Sequence, residues 1–217
     1  MDKKYTEEYM KGTTTVGLVC SDGVVIGADS RATMDTFIAS TEARKVWKID
    51  ENLGMTIAGL VGDAQELIRI IKIQNEIYKL NEGRPLSPKS AATLLSIILQ
   101  ENKMMPFYVQ LIIAGVDGGI EGEDGEVYNI DAAGGYSSES KFTSTGSGSL
   151  TALGFLEDTY KKGLTAKESV KIAAKALNIA MKRDSATGNN ITVATITKDG
   201  YVEYTGKDLE KIVGASK

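Results

Sequence analysis

The chain has no histidine. Mechanisms that need an imidazole as base or metal ligand are therefore excluded, the Ser-His and Cys-His hydrolases among them. It has one cysteine, Cys20, which excludes an intrachain disulfide and a cysteine-held zinc site. Three prolines, Pro85, Pro88 and Pro106, are too few for a Pro-rich linker. No run approaches the roughly 20 apolar residues of a membrane-spanning helix. Residues 1–12, MDKKYTEEYMKG, are charged and lack the apolar centre of a secretory signal. A reducing cytoplasm is the expected location, with Cys20, in the run VGLVC, as a small buried thiol. Basic excess is lacking too. Lys and Arg total 25 against 29 Asp and Glu, a net charge of −4, which argues against a nucleic-acid partner.

What is present fits one globular domain of 217 residues, 42% hydrophobic and 25% charged. The 23 glycines suggest many tight turns or close backbone approaches. TVGLVC and GVVIGAD flank Ser21-Asp22-Gly23, a hairpin signal. RKVWKI alternates polar and apolar, a turn follows over 50–54, and MTIAGLV reads as a more buried strand. Gly62-Asp63 offers a cap for a helix AQELIRIIKIQNEIYKL, with Leu67, Ile70, Ile71, Ile77 and Leu80 on its apolar face. Ser87 as N-cap and Pro88 at the first position open a second helix, KSAATLLSIILQENK.

FYVQLIIAGVD and EVYNIDAAGG read as strands around an acidic, glycine-rich loop, and KFTSTGSGS is small and polar. SLTALGFLEDTYKKG reads as a helix. Thr165 and Glu168 form a capping box for AKESVKIAAKALNIAMKR, and NITVATITKDGYVEY closes as a hairpin around Asp199-Gly200. Hairpins imply antiparallel sheets, and the order is not the βαβα alternation of a doubly wound sheet. The expected class is α+β, with sheets buried between layers of four helices and no repeat or second domain.

Without histidine, a hydrolase needs another base. A Thr or Ser at a chain N-terminus supplies one, because its α-amine, with an ordinary pKa of about 7.7–8.0, can take the proton of its own hydroxyl. Such a residue must first be exposed by cleavage. Gly12-Thr13 fits that junction, since the leader is short and polar and the first strand follows at once. The residues alone leave open that Thr13, Thr14 and Thr15 only begin a strand, since Thr favours strands. Two other signals fall away. TGSGSL has no GxGxxG and no Walker lysine after it, and Glu121, Glu123, Asp124 and Glu126 lack the EF-hand spacing, so no nucleotide, metal or other cofactor is expected.

KGTTTVGLVCSDGVVIGADSRAT resembles the mature start of an archaeal-type proteasome beta subunit. The resemblance continues in order through Lys45, GMTIAGLVGDAQ at 54–65, MPFYVQLIIAGVD at 105–117, IDAAGG at 130–135, STGSGS at 144–149 and KRDSATG at 182–188. It spans about residues 13–204. One such motif would be weak, and the ordered set is specific. The resemblance implies the four-layer αββα sandwich of N-terminal-nucleophile hydrolases, with two antiparallel sheets between helix layers. It implies a propeptide at 1–12 removed on maturation, and a catalytic domain at 13–217 acting as a threonine endopeptidase on unfolded proteins.

By the same resemblance, Thr13 is the nucleophile and Gly12 the residue cut from its front. Lys45 is the lysine beside the nucleophile, Asp29 the carboxylate that pairs with it, and Gly59 the oxyanion-hole N–H. Ser147 and Asp184 surround the threonine amine. Thr187 stands where the family commonly has serine, so an added methyl must be accommodated. Arg31 follows in the same motif, as a structural ion pair or with a catalytic effect. Asn189 stands where a second glycine is common and is expected, like the long acidic loop, to bear on surface or subunit contacts. Ala32, Thr33, Ala43, Ile57 and Val61 match the pocket for the residue before the cut, and their mostly small or apolar character implies hydrophobic preference.

The implied partners are other beta subunits in a seven-membered ring, proteasome alpha subunits and an ATP-dependent unfolding regulator. Three alternatives stand beside this reading: a bacterial-type two-ring protease, a noncatalytic ring subunit, and an amidase acting on small molecules. An alpha subunit would carry a longer N-terminal helical extension than the twelve residues before Thr13.

Overall fold

In a computed structural model, residues 12–34, 37–117 and 125–214 are described. The leader before Gly12 and most of the acidic loop, 118–124, lie outside them. In chain order the elements are β1 (Thr15–Cys20), β2 (Gly23–Asp29), β3 (Ala32–Met34), β4 (Phe37–Ser40), β5 (Val46–Asp50) and β6 (Leu53–Gly59). Two helices follow, α1 (Val61–Glu82) and α2 (Pro88–Glu101), then β7 (Val109–Gly115), β8 (Glu126–Ile130), β9 (Tyr136–Glu139) and β10 (Phe142–Thr145). The chain closes with α3 (Ser149–Thr159), α4 (Ala166–Met181), β11 (Ile191–Thr197), β12 (Gly200–Thr205) and α5 (Gly206–Val213).

Every strand pairing is antiparallel. One five-stranded sheet runs β10-β1-β2-β11-β12, the other β5-β6-β7-β8-β9, and β3-β4 form a separate two-stranded ribbon. This is the α+β class that the hairpins imply.

The inner strands β1, β2, β6 and β7 bury both faces, and their period of two divides the work. On β2, Val25 packs with Leu156 of α3, Leu177 of α4 and Leu209 of α5. Its neighbours Val24 and Ile26 face the second sheet, where they meet Ile112 of β7 and Val127 of β8. The far side of the second sheet packs Leu111 and Ile113 against Leu67 and Ile71 of α1 and Leu95 of α2. A strand apolar on both faces has little alternation, which is why GVVIGAD reads as one apolar run. Among the described residues no helix is long and apolar enough to cross a membrane.

The local signals hold at most turns. The first hairpin turns on Ser21-Asp22, with Cys20 opposite Gly23. Ser87 caps α2 by accepting the Ser90 N–H at 3.1 Å, with Pro88 at its start. Thr165 and Glu168 complete the capping box of α4. Helix α1 departs from expectation. It begins at Val61, and Asp63 does not cap it, because that carboxylate accepts the Tyr108 N–H at 2.8 Å and ties the helix start to the residue just before β7.

The buried face of α1 is also rotated from the expected one. Ala64, Leu67, Ile68, Ile71 and Asn75 are inside, while Ile77 and Leu80 are 46% and 85% exposed. Asn75 holds its core position because both ends of its amide are bonded, Nδ2 to Asp50 Oδ2 at 2.7 Å and Oδ1 to the Leu86 N–H at 2.9 Å. The ribbon β3-β4, the short β9 and β10, and α5 were not expected from the sequence, so five helices, not four, are present among the described residues.

The rotation is measurable. Ile71→Ala should cost about 2–5 kcal/mol of unfolding free energy, and Leu80→Ala less than about 0.5 kcal/mol, in urea titrations of the unassembled chain. Equal losses would contradict the assigned face.

Candidate active site

Three strand ends in the first sheet meet at one carboxylate. Asp29 is the last residue of β2, and its side chain is fully buried. Its Oδ1 accepts the Thr14 N–H at 3.0 Å, just before β1. Its Oδ2 accepts the N–H groups of Arg31 at 3.0 Å and Gly188 at 2.9 Å, the latter shortly before β11. The fourth donor comes from the other sheet. Lys45, immediately before β5, places Nζ 2.9 Å from Asp29 Oδ1, and its side chain is 6% exposed. Burial pushes the Lys45 ammonium below the ordinary lysine range, and the Asp29 charge opposes that shift.

The same ammonium donates to the carbonyl of Gly12 at 3.3 Å. Thr13 Oγ1 also donates to that oxygen, at 2.5 Å. Gly12 holds this position with φ of +115°, and a Cβ there would come within 2.1 Å of Thr33 Oγ1, so only glycine fits. On the other side of the junction, Ser147 Oγ accepts the N–H groups of Gly12 at 3.3 Å and Thr13 at 3.4 Å. Ser147 in turn donates to Asp184 Oδ2 at 2.5 Å. Thr187 Oγ1 donates to the same oxygen at 2.5 Å and lies 2.7 Å from Thr14 Oγ1. Thr187 is fully buried, so its extra methyl is packed inside without displacing the hydroxyl.

Thr13 and Lys45 open into a cleft of about 650 Å³. Gly12, Ala32, Thr33, Ile57, Gly59 and Val61 line it. Ala43 does not. Its half-buried position is fixed by its N–H, which donates to the Ser30 carbonyl at 2.9 Å. Met34, Ala39, Arg44, Leu60 and Gly62 also line the cleft. Met34 and Ala39 belong to the β3-β4 ribbon, and no local pattern in the sequence marks that ribbon or places them here. Gly59 ends β6 with φ of +111°, and a Cβ would sit 2.2 Å from the Tyr108 carbonyl oxygen. That close approach to the neighbouring strand requires glycine, whatever the ligand.

Two residues differ from expectation. Arg31 has no carboxylate partner among the described residues. Its guanidinium donates to Asn189 Oδ1 at 2.9 Å and to the Ser185 carbonyl at 2.7 Å, so it fastens the 185–189 loop rather than forming an ion pair. Asn189 sits at φ of +69°, in the left-handed region where Asn is tolerated and glycine is at ease. Its side chain therefore serves the site's loop. Cys20 is buried as expected, and burial pushes its thiol up to about 12, far from a reactive thiolate.

A model of the proteasome subunit family matches residues 9–196. A protein from Methanococcus aeolicus named proteasome subunit beta is 49% identical over 206 residues, which cover 95% of this chain and 94% of the relative. Proteins of the same name from Methanosphaerula palustris and Methanosarcina barkeri are 46% and 44% identical, over 96% and 95% of this chain and 97% and 96% of their own. With the buried pair, the glycine-bounded cleft and these matches along most of its length, the chain belongs to the proteasome subunit family.

Proposed function

We propose that the chain is a catalytic proteasome beta subunit, a threonine endopeptidase whose nucleophile, Thr13, is freed by removal of residues 1–12. The carrying observation is convergence on one carbonyl. The Gly12 oxygen faces Lys45 Nζ at 3.3 Å and Thr13 Oγ1 at 2.5 Å, beside the buried Asp29. The three apolar clusters support reading the layers as helix, sheet, sheet, helix, the N-terminal-nucleophile sandwich. The names of the relatives support assembly with other proteasome subunits. Seven-membered beta rings, flanking alpha subunits, an ATP-dependent regulator and a cytoplasmic setting complete the reading.

Maturation begins when Thr13 Oγ1 attacks the Gly12 carbonyl carbon. Charge develops on the carbonyl oxygen, which the Lys45 ammonium faces. The C–N bond breaks, the nitrogen takes the hydroxyl's proton, and the Gly12 acyl group is left as an ester on Thr13. Water hydrolyses that ester, releasing the leader as a carboxylate and leaving Thr13 with a free α-amine.

The mature amine then accepts the Thr13 hydroxyl proton as the oxygen attacks a substrate peptide carbonyl. The Gly59 N–H receives the oxyanion. The proton passes to the departing amine, an acyl-ester forms, and water attacks it with the α-amine again as base. Ala32, Ile57, Val61 and the ribbon residue Met34 favour an apolar side chain before the cut.

Thr13→Ala should lower peptide turnover roughly a thousandfold or more in an assembled particle, and Lys45→Ala nearly as far, in a fluorogenic peptide assay. Near-normal turnover in the Thr13 variant would remove it as nucleophile. Gly12→Ala should slow leader removal at least roughly tenfold, since an L-residue with φ in this region is strained and its Cβ meets Thr33. The fraction of cut chain after expression, read by intact mass, measures this. An unchanged rate would show that cleavage does not use the Gly12 geometry described above.

A further inference from the structure

Thr14 follows the nucleophile, is fully buried, and lines no part of the cleft. Its two polar groups point to opposite halves of the site. The N–H donates to Asp29 Oδ1 at 3.0 Å, the oxygen that also holds Lys45. The hydroxyl lies 2.7 Å from Thr187 Oγ1, which lies 2.5 Å from Asp184 Oδ2.

Proton counting sets the direction of this chain. Asp184 Oδ2 takes the hydroxyl protons of both Thr187 and Ser147. A hydroxyl has one proton, so Thr187, donating to Asp184, must accept from Thr14. Ser147 is bound by the same count. Its proton goes to the carboxylate at 2.5 Å rather than to the Thr13 carbonyl at 3.4 Å, so toward the Thr13 nitrogen it is an acceptor. Once that nitrogen is an amine, a serine that cannot donate to it leaves its lone pair free for the nucleophile's proton. A Cβ on Gly148 would come within 2.1 Å of the Thr14 hydroxyl, so glycine at 148 leaves the room in which that hydroxyl sits.

We propose that Thr14 is a positioning residue. Its hydroxyl donates to Thr187, which keeps Thr187 turned onto Asp184 and Ser147 in its accepting orientation, while its N–H anchors the same backbone to the Asp29–Lys45 pair. The proposal rests on the reading of Thr13 as the N-terminal nucleophile. It makes residue 14 the link through which the lysine side and the amine side of the site share one geometry.

The test is a double-mutant cycle in assembled particles, with kcat taken per processed chain and KM measured alongside. Thr14→Val should lower kcat roughly tenfold, the weight of one buried hydrogen bond, with KM within about twofold because Thr14 touches no part of the cleft. Thr14→Ser should recover most of that loss. Thr187→Val should lower kcat by itself, and adding Thr14→Val to it should cost no more, since the relay is already cut. If Thr14→Val chains fail to assemble, Thr14→Ala takes their place in the cycle. Unchanged kcat, full additivity, or a Thr14→Ser chain as impaired as Thr14→Val would each overturn the proposal while leaving the nucleophile intact. Turnover surviving Thr13→Ala would instead overturn the nucleophile reading and the proposal together.

Discussion

The buried carboxylate of Asp29 is the constraint on which the rest depends. It binds the N–H groups of Thr14, Arg31 and Gly188 and the ammonium of Lys45. Those groups come from the neighbouring strand ends of β1, β2 and β11 and from the entry to β5 in the opposite sheet. A charge taken out of water is tolerated only when it is paired and fully hydrogen-bonded. Removing one partner from such a pair typically costs about 3–5 kcal/mol. The exposed pairs Lys48–Glu51, Arg69–Glu66 and Lys211–Asp208 are of another kind. Solvent screens them, and each is worth about 0–1 kcal/mol.

From that anchor the junction is held on two faces. Lys45 faces the Gly12 carbonyl, and Ser147 faces the Gly12 and Thr13 N–H groups, itself turned by Asp184. The backbone is shaped to match. Gly12 and Gly59 both take positive φ where a side chain would strike Thr33 or the Tyr108 carbonyl. Asn189 takes positive φ without being glycine and uses its side chain to hold Arg31, which keeps the 185–189 loop against Asp29.

Much of the fold was legible because its signals are local. The Ser21-Asp22 turn, the Ser87-Pro88 start and the Thr165/Glu168 box each act over a few residues. The failures share a cause in tertiary contact. Asp63 looks like a cap until Tyr108 takes its carboxylate. Ile77 and Leu80 look like core until Asn75, a polar residue, takes the buried position by bonding Asp50 and Leu86. The β3-β4 ribbon carries exposed Met34 and Phe37, so no alternation marks it. At the site, residue types came from the ordered motifs, while their geometry came only from the fold. Gly12 and Ser147 are 135 positions apart, and Thr14 and Thr187 are 173 apart. No spacing rule reaches across such separations. Ala43 matched the motif yet does not line the cleft, and Thr14 reads as an ordinary strand former until its two bonds are seen.

In the proposed mechanism the base is the α-amine of Thr13, which does not exist while Gly12 is attached. Intact mass combined with N-terminal sequencing of the peptide-cleaving particle tests it most directly. The expected chains begin Thr-Thr-Thr-Val, with residues 1–12 gone. An active particle whose chains all retain residues 1–12 would contradict it.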